Sequence, residues 1–254
     1  MIMMVASDRD WIMWPAFLAL WMAVTSCGVA GTRSLDYIVV GAGAAGIQMG
    51  LFLQQQPGVR YIIFEKGPDA GTFWRTYPVT EEFISVNTPH AKRKDTNDPG
   101  TGGRYEWHGL LGTSVQFKSF STRYFPLRSE YRAYLNHVVA AEKLNVRFNV
   151  DVTRLLAGDG DGGPCVLLAP SGEKVCARSR VFVATGLQPI PRPRLEAMGI
   201  ISYTAFNRSM VDGERVCIFG NGNSAWELAQ ASFPTAEAVS VIGRRPTRWS
   251  FVTK

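Results

Sequence analysis

Residues 36–65 read DYIVVGAGAAGIQMGLFLQQQPGVRYIIFE, and this stretch decides the fold. Asp36–Val40 is a short apolar run of the kind that forms a buried parallel strand. It ends in Gly41-Ala42-Gly43-Ala44-Ala45-Gly46. From Ala44 to Gln56 the composition turns to Ala, Leu, Met and Gln, which lose little on entering a helix. Tyr61–Phe64 then returns to the buried-strand pattern. A strand, a glycine turn, a helix and a second strand within about 30 residues make a βαβ unit.

The glycine spacing carries chemistry. Gly41 permits the tight turn, Gly43 lets a pyrophosphate approach the backbone, and Gly46 allows helix and strand to pack closely. The helix N-terminus beyond them offers oriented N–H groups and positive partial charge to phosphates. Alone such a pattern is weak. Here it follows a strand, opens a helix and precedes a strand that ends in an acid, Glu65. A carboxylate there can accept both ribose hydroxyls of an adenosine and repels a 2′-phosphate, so FAD or NAD suits this loop better than NADP. Ala42, Ala45 and Lys66 complete the candidate nucleotide-lining set.

The logic recurs downstream. Val216–Phe219 is a second buried run, followed by Gly220-Asn221-Gly222-Asn223-Ser224-Ala225, where Ala225 is small enough for the third glycine's packing role. The next strand, Ala238–Ile242, leads to Arg244 and Arg245 instead of an acid. Guanidinium groups pair bidentately with a phosphate, which points to the 2′-phosphate of NADPH. Gly220, Gly222, Asn223, Ser224, Arg244 and Arg245 are the candidate NADPH residues. An acid-terminated and an Arg-terminated dinucleotide loop in one chain imply a flavin reduced by a nicotinamide.

Between the loops, residues 66–125 are irregular and rich in aromatics, suiting either a wall around a flat ring system or plain core packing. Arg128–Leu144 has the spacing of an amphipathic helix, with Tyr131, Tyr134, Leu135, Val138 and Val139 on one face. Val146–Val152, Val166–Leu168 and Lys174–Ala177 are short alternating segments joined by turn residues, expected as a small antiparallel meander. Val181–Ala184 reads as a further buried strand. The fold class is therefore α/β: a Rossmann-like FAD-binding domain with a β-meander, followed by the start of a second Rossmann-like NAD(P)-binding domain.

The chain has 254 residues, 46% hydrophobic and 19% charged, with a formal net charge of +6. That describes a globular protein with a core. The basic residues are scattered and no helix carries a basic stripe, so nucleic-acid binding is not expected. Of the four cysteines, Cys27, Cys165, Cys176 and Cys217, none forms a C-x-x-C pair, and no His cluster accompanies them, so no metal site is expected. A turn centred on Ser171-Gly172 sets Cys165 opposite Arg178, so Cys165 and Cys176 are expected as two buried, inert thiols, a bridge between them requiring a different register. His90, His108 and His137 show no partner pattern.

No residue from Trp11 to Thr32 is charged, and Trp11–Val24 is strongly apolar, with Gly28 and Ala30 following. Residues 1–30 read as a cleaved secretory signal, with a membrane anchor over 11–31 or a buried N-terminal helix as the alternatives. The sequon at Asn207-Arg208-Ser209 agrees with a secretory route. The expected layout is then an FAD-binding domain over 34–190 and the start of an NADPH-binding domain over 191–254.

Taken together, residues 35–254 resemble the flavin-containing monooxygenase-like class of two-dinucleotide flavoproteins. GTFWRTYP (71–78), with Trp74, is similar to the segment of that class lying along the flavin. FISVN (83–87) ends in Asn87, matching an asparagine placed beside the reactive ring and the one catalytic candidate. VFVATG (181–186) contains Thr185 and Gly186, similar to the link between the two nucleotide domains. Val152 matches a position whose backbone touches adenine. Within the class, FLQ (52–54), FISVN, RYFP (123–126) and GNGNSAWE (220–227) resemble its endoplasmic-reticulum branch. That likeness implies residence in the reticulum lumen and quality-control partners, as a catalyst or as a non-catalytic scaffold. The class fingerprint Phe-x-Gly-x₃-His does not occur between Gly186 and Val216, so the likeness does not carry oxygen insertion with it. A disulfide reductase is disfavoured for want of a close cysteine pair. Strands returning to the FAD domain do not follow residue 242, so the chain is expected to be an N-terminal fragment. The electron acceptor is not legible.

Overall fold

The computed structural model describes residues 35–87, 106–158, 163–187 and 193–247. The leader reading for residues 1–30, the anchor over 11–31 and His90 lie outside them.

Two sheets organise these residues. The first has six strands in the order β3-β2-β1-β6-β5-β4. β1 (Leu35–Val40) is its centre, parallel to β2 (Tyr61–Phe64) on one side and to β6 (Lys174–Val183) on the other. β3 (Val146–Arg147) extends the parallel half beyond β2. β4 (Asp151–Leu156) and β5 (Cys165–Ala169) form an antiparallel hairpin attached to β6. Ile38, Val39 and Ile63 are fully buried, as strands covered on both faces must be.

α1 (Ala44–Gln54) packs on this sheet through Ile47 and Leu51, and α2 (Arg128–Ala141) adds Tyr131, Tyr134, Leu135 and Val138 to the same core. The N-terminus of α2 is closed by Glu130, whose carboxylate accepts the Leu127 N–H at 2.7 Å. The aromatic stretch before α2 resolves into core packing: Phe117 meets Tyr131 and Tyr134 edge-on at 5.5 Å each, and Trp74 lies 5.4 Å from Tyr131. A single turn, α3 (Pro193–Glu196), precedes the second sheet. There β7 (Arg215–Phe219) and β8 (Ala238–Ile242) run parallel, joined by α4 (Asn223–Ser232). Among the described residues no helix is long and apolar enough to cross a membrane.

Three expectations are corrected. Val146–Val152 is not one meander strand: it breaks after Arg147, Asn149 takes φ 57°, and the two pieces join different neighbours. Lys174–Ala177 and Val181–Ala184 are not separate strands, because β6 is ten residues long and passes from β5 to β1. Cys165 and Cys176 are not free thiols. They stand directly opposite one another and form a disulfide. The Leu168 N–H donates to the Glu173 carbonyl, which centres the turn on Pro170-Ser171, one residue earlier than expected.

Candidate dinucleotide site

The first glycine loop is built around contacts that exclude side chains. Gly41 has φ +101°, and a Cβ there would lie 2.6 Å from the Ala184 carbonyl oxygen. A Cβ on Gly46 would lie 1.9 Å from the Gly41 carbonyl oxygen. Gly43, the residue before α1, is different: no atom lies within 4 Å of where its Cβ would be. Open space therefore stands over the free N–H groups that begin the helix, which suits a phosphate.

Glu65 ties this loop down. It is 6% exposed, and its Oε2 accepts the Ala42 N–H at 2.7 Å. Its Oε1 accepts the Gly67 N–H at 2.8 Å and the Thr72 hydroxyl at 3.0 Å. Gly71 N–H in turn donates to the Ala42 carbonyl, and Asn136 of α2 clasps Ala70 through both its backbone groups. A carboxylate offers about four acceptor positions, so three protein donors leave Glu65 one for a ribose hydroxyl where the sequence suggested two. Lys66 and Ala45 are exposed beside the loop. Val150 N–H donates to the Glu65 carbonyl, which brings Val152 to the same end of the sheet. Ala184 N–H donates to the Val40 carbonyl, and this places exposed Thr185 and Gly186 against the loop's other flank.

The second loop follows the same plan. Gly220 has φ +122° and donates its N–H to the Ile242 carbonyl at 2.8 Å. Gly222 precedes α4 with open space at its Cβ position, and Asn223 and Ser224 are exposed in the first turn. Arg244 and Arg245 are exposed, and among the described residues neither guanidinium makes an ion pair.

A family model described as pyridine nucleotide-disulphide oxidoreductase matches residues 38–253. The chain belongs to that family. Among curated relatives, mouse FAD-dependent oxidoreductase domain-containing protein 2 is 31% identical over 93% of the chain. The chain spans about a third of the length of such relatives, 35%. Among solved structures, a flavin monooxygenase from Stenotrophomonas maltophilia superposes with TM-score 0.65 at 25% identity, covering 85% of this chain and 59% of that one. OTEMO, solved in complex with FAD and NADP, superposes with TM-score 0.56 at 22% identity, covering 82% of this chain and 38% of that one.

Elsewhere in this pyridine nucleotide-disulphide oxidoreductase chain, one sequence candidate is half-buried and another fully buried. Trp74 is packed among Phe73, Phe83 and Tyr131. Asn87 is 1% exposed; its Nδ2 donates to the Ser121 and Arg123 carbonyls at 3.2 and 3.1 Å. Its Oδ1 lies 3.1 Å from His108 Nε2. With both amide protons spent on carbonyls, Oδ1 is the acceptor, so His108 carries its proton on Nε2. His108 Nδ1 is buried without a hydrogen-bond partner. This pair was missed in the sequence because its members are 21 residues apart and share no local motif.

Burial pushes the His108 pKa down, against a smaller upward pull from Glu106, whose Oε2 is 3.7 Å from Nε2. A histidine held neutral in the fold leaves the unfolded chain binding more protons just below its ordinary value, so stability falls as pH drops through about 6.5. Thermal melts from pH 7.5 to 5 should show that fall, and His108→Gln should flatten it. An unchanged slope in the variant would remove His108 as the cause.

A cleft of about 210 Å³ is lined in part by Glu82, Phe83 and Phe125 from the segment before α2, by Arg208, and by Glu227 from α4. Beside it Tyr203 donates its hydroxyl proton to Glu227 Oε2 at 2.7 Å, accepts the Val79 N–H at 3.4 Å and stacks on Tyr77. One side chain thus joins the loop after residue 76 to α4.

Proposed function

We propose that this chain supplies the nucleotide-binding front part of an FAD-dependent oxidoreductase in which NADPH is the reductant. The supporting observation is the doubled strand–loop–helix unit, closed once by a buried acid and once by two unengaged arginines. FAD fits the first loop: Gly43 leaves the helix start open, and Glu65 keeps one acceptor position. NADPH fits the second, where Gly222 leaves the start of α4 open beside two guanidinium groups. Bound flavin supplies the two-electron chemistry, and the protein contributes position and charge. Gly43 and Ala45 stand at the open helix start that would receive the pyrophosphate, while Gly41, Ala42 and Gly46 shape the turn behind it, with Glu65 and Lys66 at the adenosine end and Val152 nearby. Thr185 and Gly186 flank the same loop. Asn87 supports the flavin region from within, since its amide groups are all engaged, and half-buried Trp74 supports it through ring packing.

The Cys165–Cys176 disulfide supports an oxidising compartment, consistent with a secretory-pathway location in the endoplasmic reticulum. Its place in the β5–β6 hairpin gives no support to a disulfide-reductase role. Anaerobic mixing of the flavin-reconstituted full chain with NADPH or NADH tests the reductant. NADPH should bleach the flavin at least about tenfold faster at limiting concentration, the effect of one good phosphate contact. Bleaching by neither nucleotide would favour a scaffold that holds flavin without turning it over.

A further inference from the structure

We propose that Asn221 is a positioning residue for the 2′-phosphate of the nicotinamide nucleotide, holding the Arg244–Arg245 turn against the second glycine loop; this rests on the assignment of that loop to NADPH. The Asn221 Nδ2 donates to the Arg245 carbonyl at 2.6 Å, across 24 residues of sequence. The half-buried amide occupies the space over Gly243, where a Cβ would lie 2.7 Å from Asn221 Cγ. A glycine at 243 is thus what lets the amide reach across. Backbone pairing of Gly220 with Ile242 brings the strand end close, but it does not fix the turn beyond it. Residues 244–247 form no strand or helix, so among the described residues the Asn221 amide is a side-chain tether on the turn that carries both arginines.

The first loop shows the same arrangement with the roles exchanged. There the second loop residue, Ala42, is bound to the residue that ends the following strand, the donor being the Ala42 N–H and the acceptor the Glu65 side chain. In the second loop the side chain belongs to the loop residue and the acceptor is backbone. That exchange leaves both guanidinium groups free, whereas the Glu65 carboxylate is largely consumed by its own tether. A guanidinium orders a phosphate only if its backbone is already placed, because each mobile side chain and turn residue loses entropy on binding. The Asn221 tether therefore acts on discrimination, by the 2′-phosphate, more than on the adenosine diphosphate that both nicotinamide nucleotides share.

Calorimetric titration of the full chain with 2′,5′-ADP and with 5′-ADP separates these effects. The wild-type protein should bind 2′,5′-ADP about tenfold more tightly. In Asn221→Ala that preference should fall to about two- to threefold, with 5′-ADP affinity changed less than about twofold, the scale of one net hydrogen bond. Gly243→Ala, which displaces the amide without altering Asn221, should behave alike, and the Arg244→Ala/Arg245→Ala double variant should lose the preference. If Asn221→Ala keeps the full preference while the double variant loses it, the tether is refuted and the NADPH assignment stands. Equal loss of both ligands would make Asn221 a merely structural loop residue and equally refute the tether. A wild-type protein with no preference, or binding neither ligand, overturns the NADPH assignment and the tether with it.

Discussion

Gly43→Ala should fold as the wild type does and lose flavin, whereas Gly46→Ala should lose the fold itself. The two glycines sit three residues apart in the same loop and differ in what surrounds them. A methyl at 43 meets nothing within 4 Å, and the residue's φ of −76° suits any amino acid. Its melting temperature should stay within about 2 °C of wild type, the range of a surface substitution. The same methyl stands where a pyrophosphate would approach the helix start, so FAD affinity should drop by about a hundredfold or more, or roughly 3 kcal/mol. A methyl at 46 lies 1.9 Å from the Gly41 carbonyl, backbone against backbone, and only a shift of α1 away from β1 relieves it. That overpacking costs about 3 kcal/mol or more, a large share of a domain's stability. Circular dichroism melts and flavin titrations of the two variants check both halves. Equal stability of both variants would contradict the packing role of Gly46.

Glu65→Ala should be among the most destabilising substitutions in the chain, independently of any ligand. It strands the Ala42 and Gly67 N–H groups, whose acceptor Glu65 is, and leaves the Thr72 hydroxyl with the Asp69 carbonyl at 3.1 Å alone. A buried donor left unsatisfied costs about 1–3 kcal/mol, so a loss of roughly 3–5 kcal/mol is expected after partial relaxation. Glu65→Gln keeps one carbonyl oxygen but turns an N–H toward a donor, and should cost about half as much. Urea unfolding of the chain without flavin measures this directly. A loss below about 1 kcal/mol for Glu65→Ala would show that the loop holds its shape without the carboxylate.

The β1–α1–β2 unit was legible because its requirements are local: two close backbone approaches need glycine, and an apolar run needs burial on both faces. The hairpin register was not legible, for a specific reason. Setting Cys165 opposite Arg178 or opposite Cys176 differs by two residues, and a two-residue slip leaves every side chain on the same face. Val166 and Leu168 are buried in the observed register and would face the same way in the other. The alternation therefore could not choose, and the disulfide followed from the choice. The length of β6 was not legible because Arg178, Ser179 and Arg180 break the apolar pattern; the strand passes from β5 to β1 between Cys176 and Ala177, and its pairing with β1 shifts register before Arg180. The residue types at the site were readable, but their engagement was not. Glu65, Asn87 and Asn221 were each placed or passed over by type, while burial and partners as far as 21 to 36 residues away decide how many polar groups each has left to offer.

The central claim is that the first loop seats a flavin adenine dinucleotide between the start of α1 and Glu65. Its most direct test is equilibrium titration of the purified full chain with FAD, following protein fluorescence and retained yellow colour after gel filtration, beside Gly43→Ala. Saturable one-to-one binding by the wild type, lost in the folded variant, is the predicted result. A wild-type chain that stays colourless, or a Gly43→Ala variant that binds FAD as tightly, would contradict it.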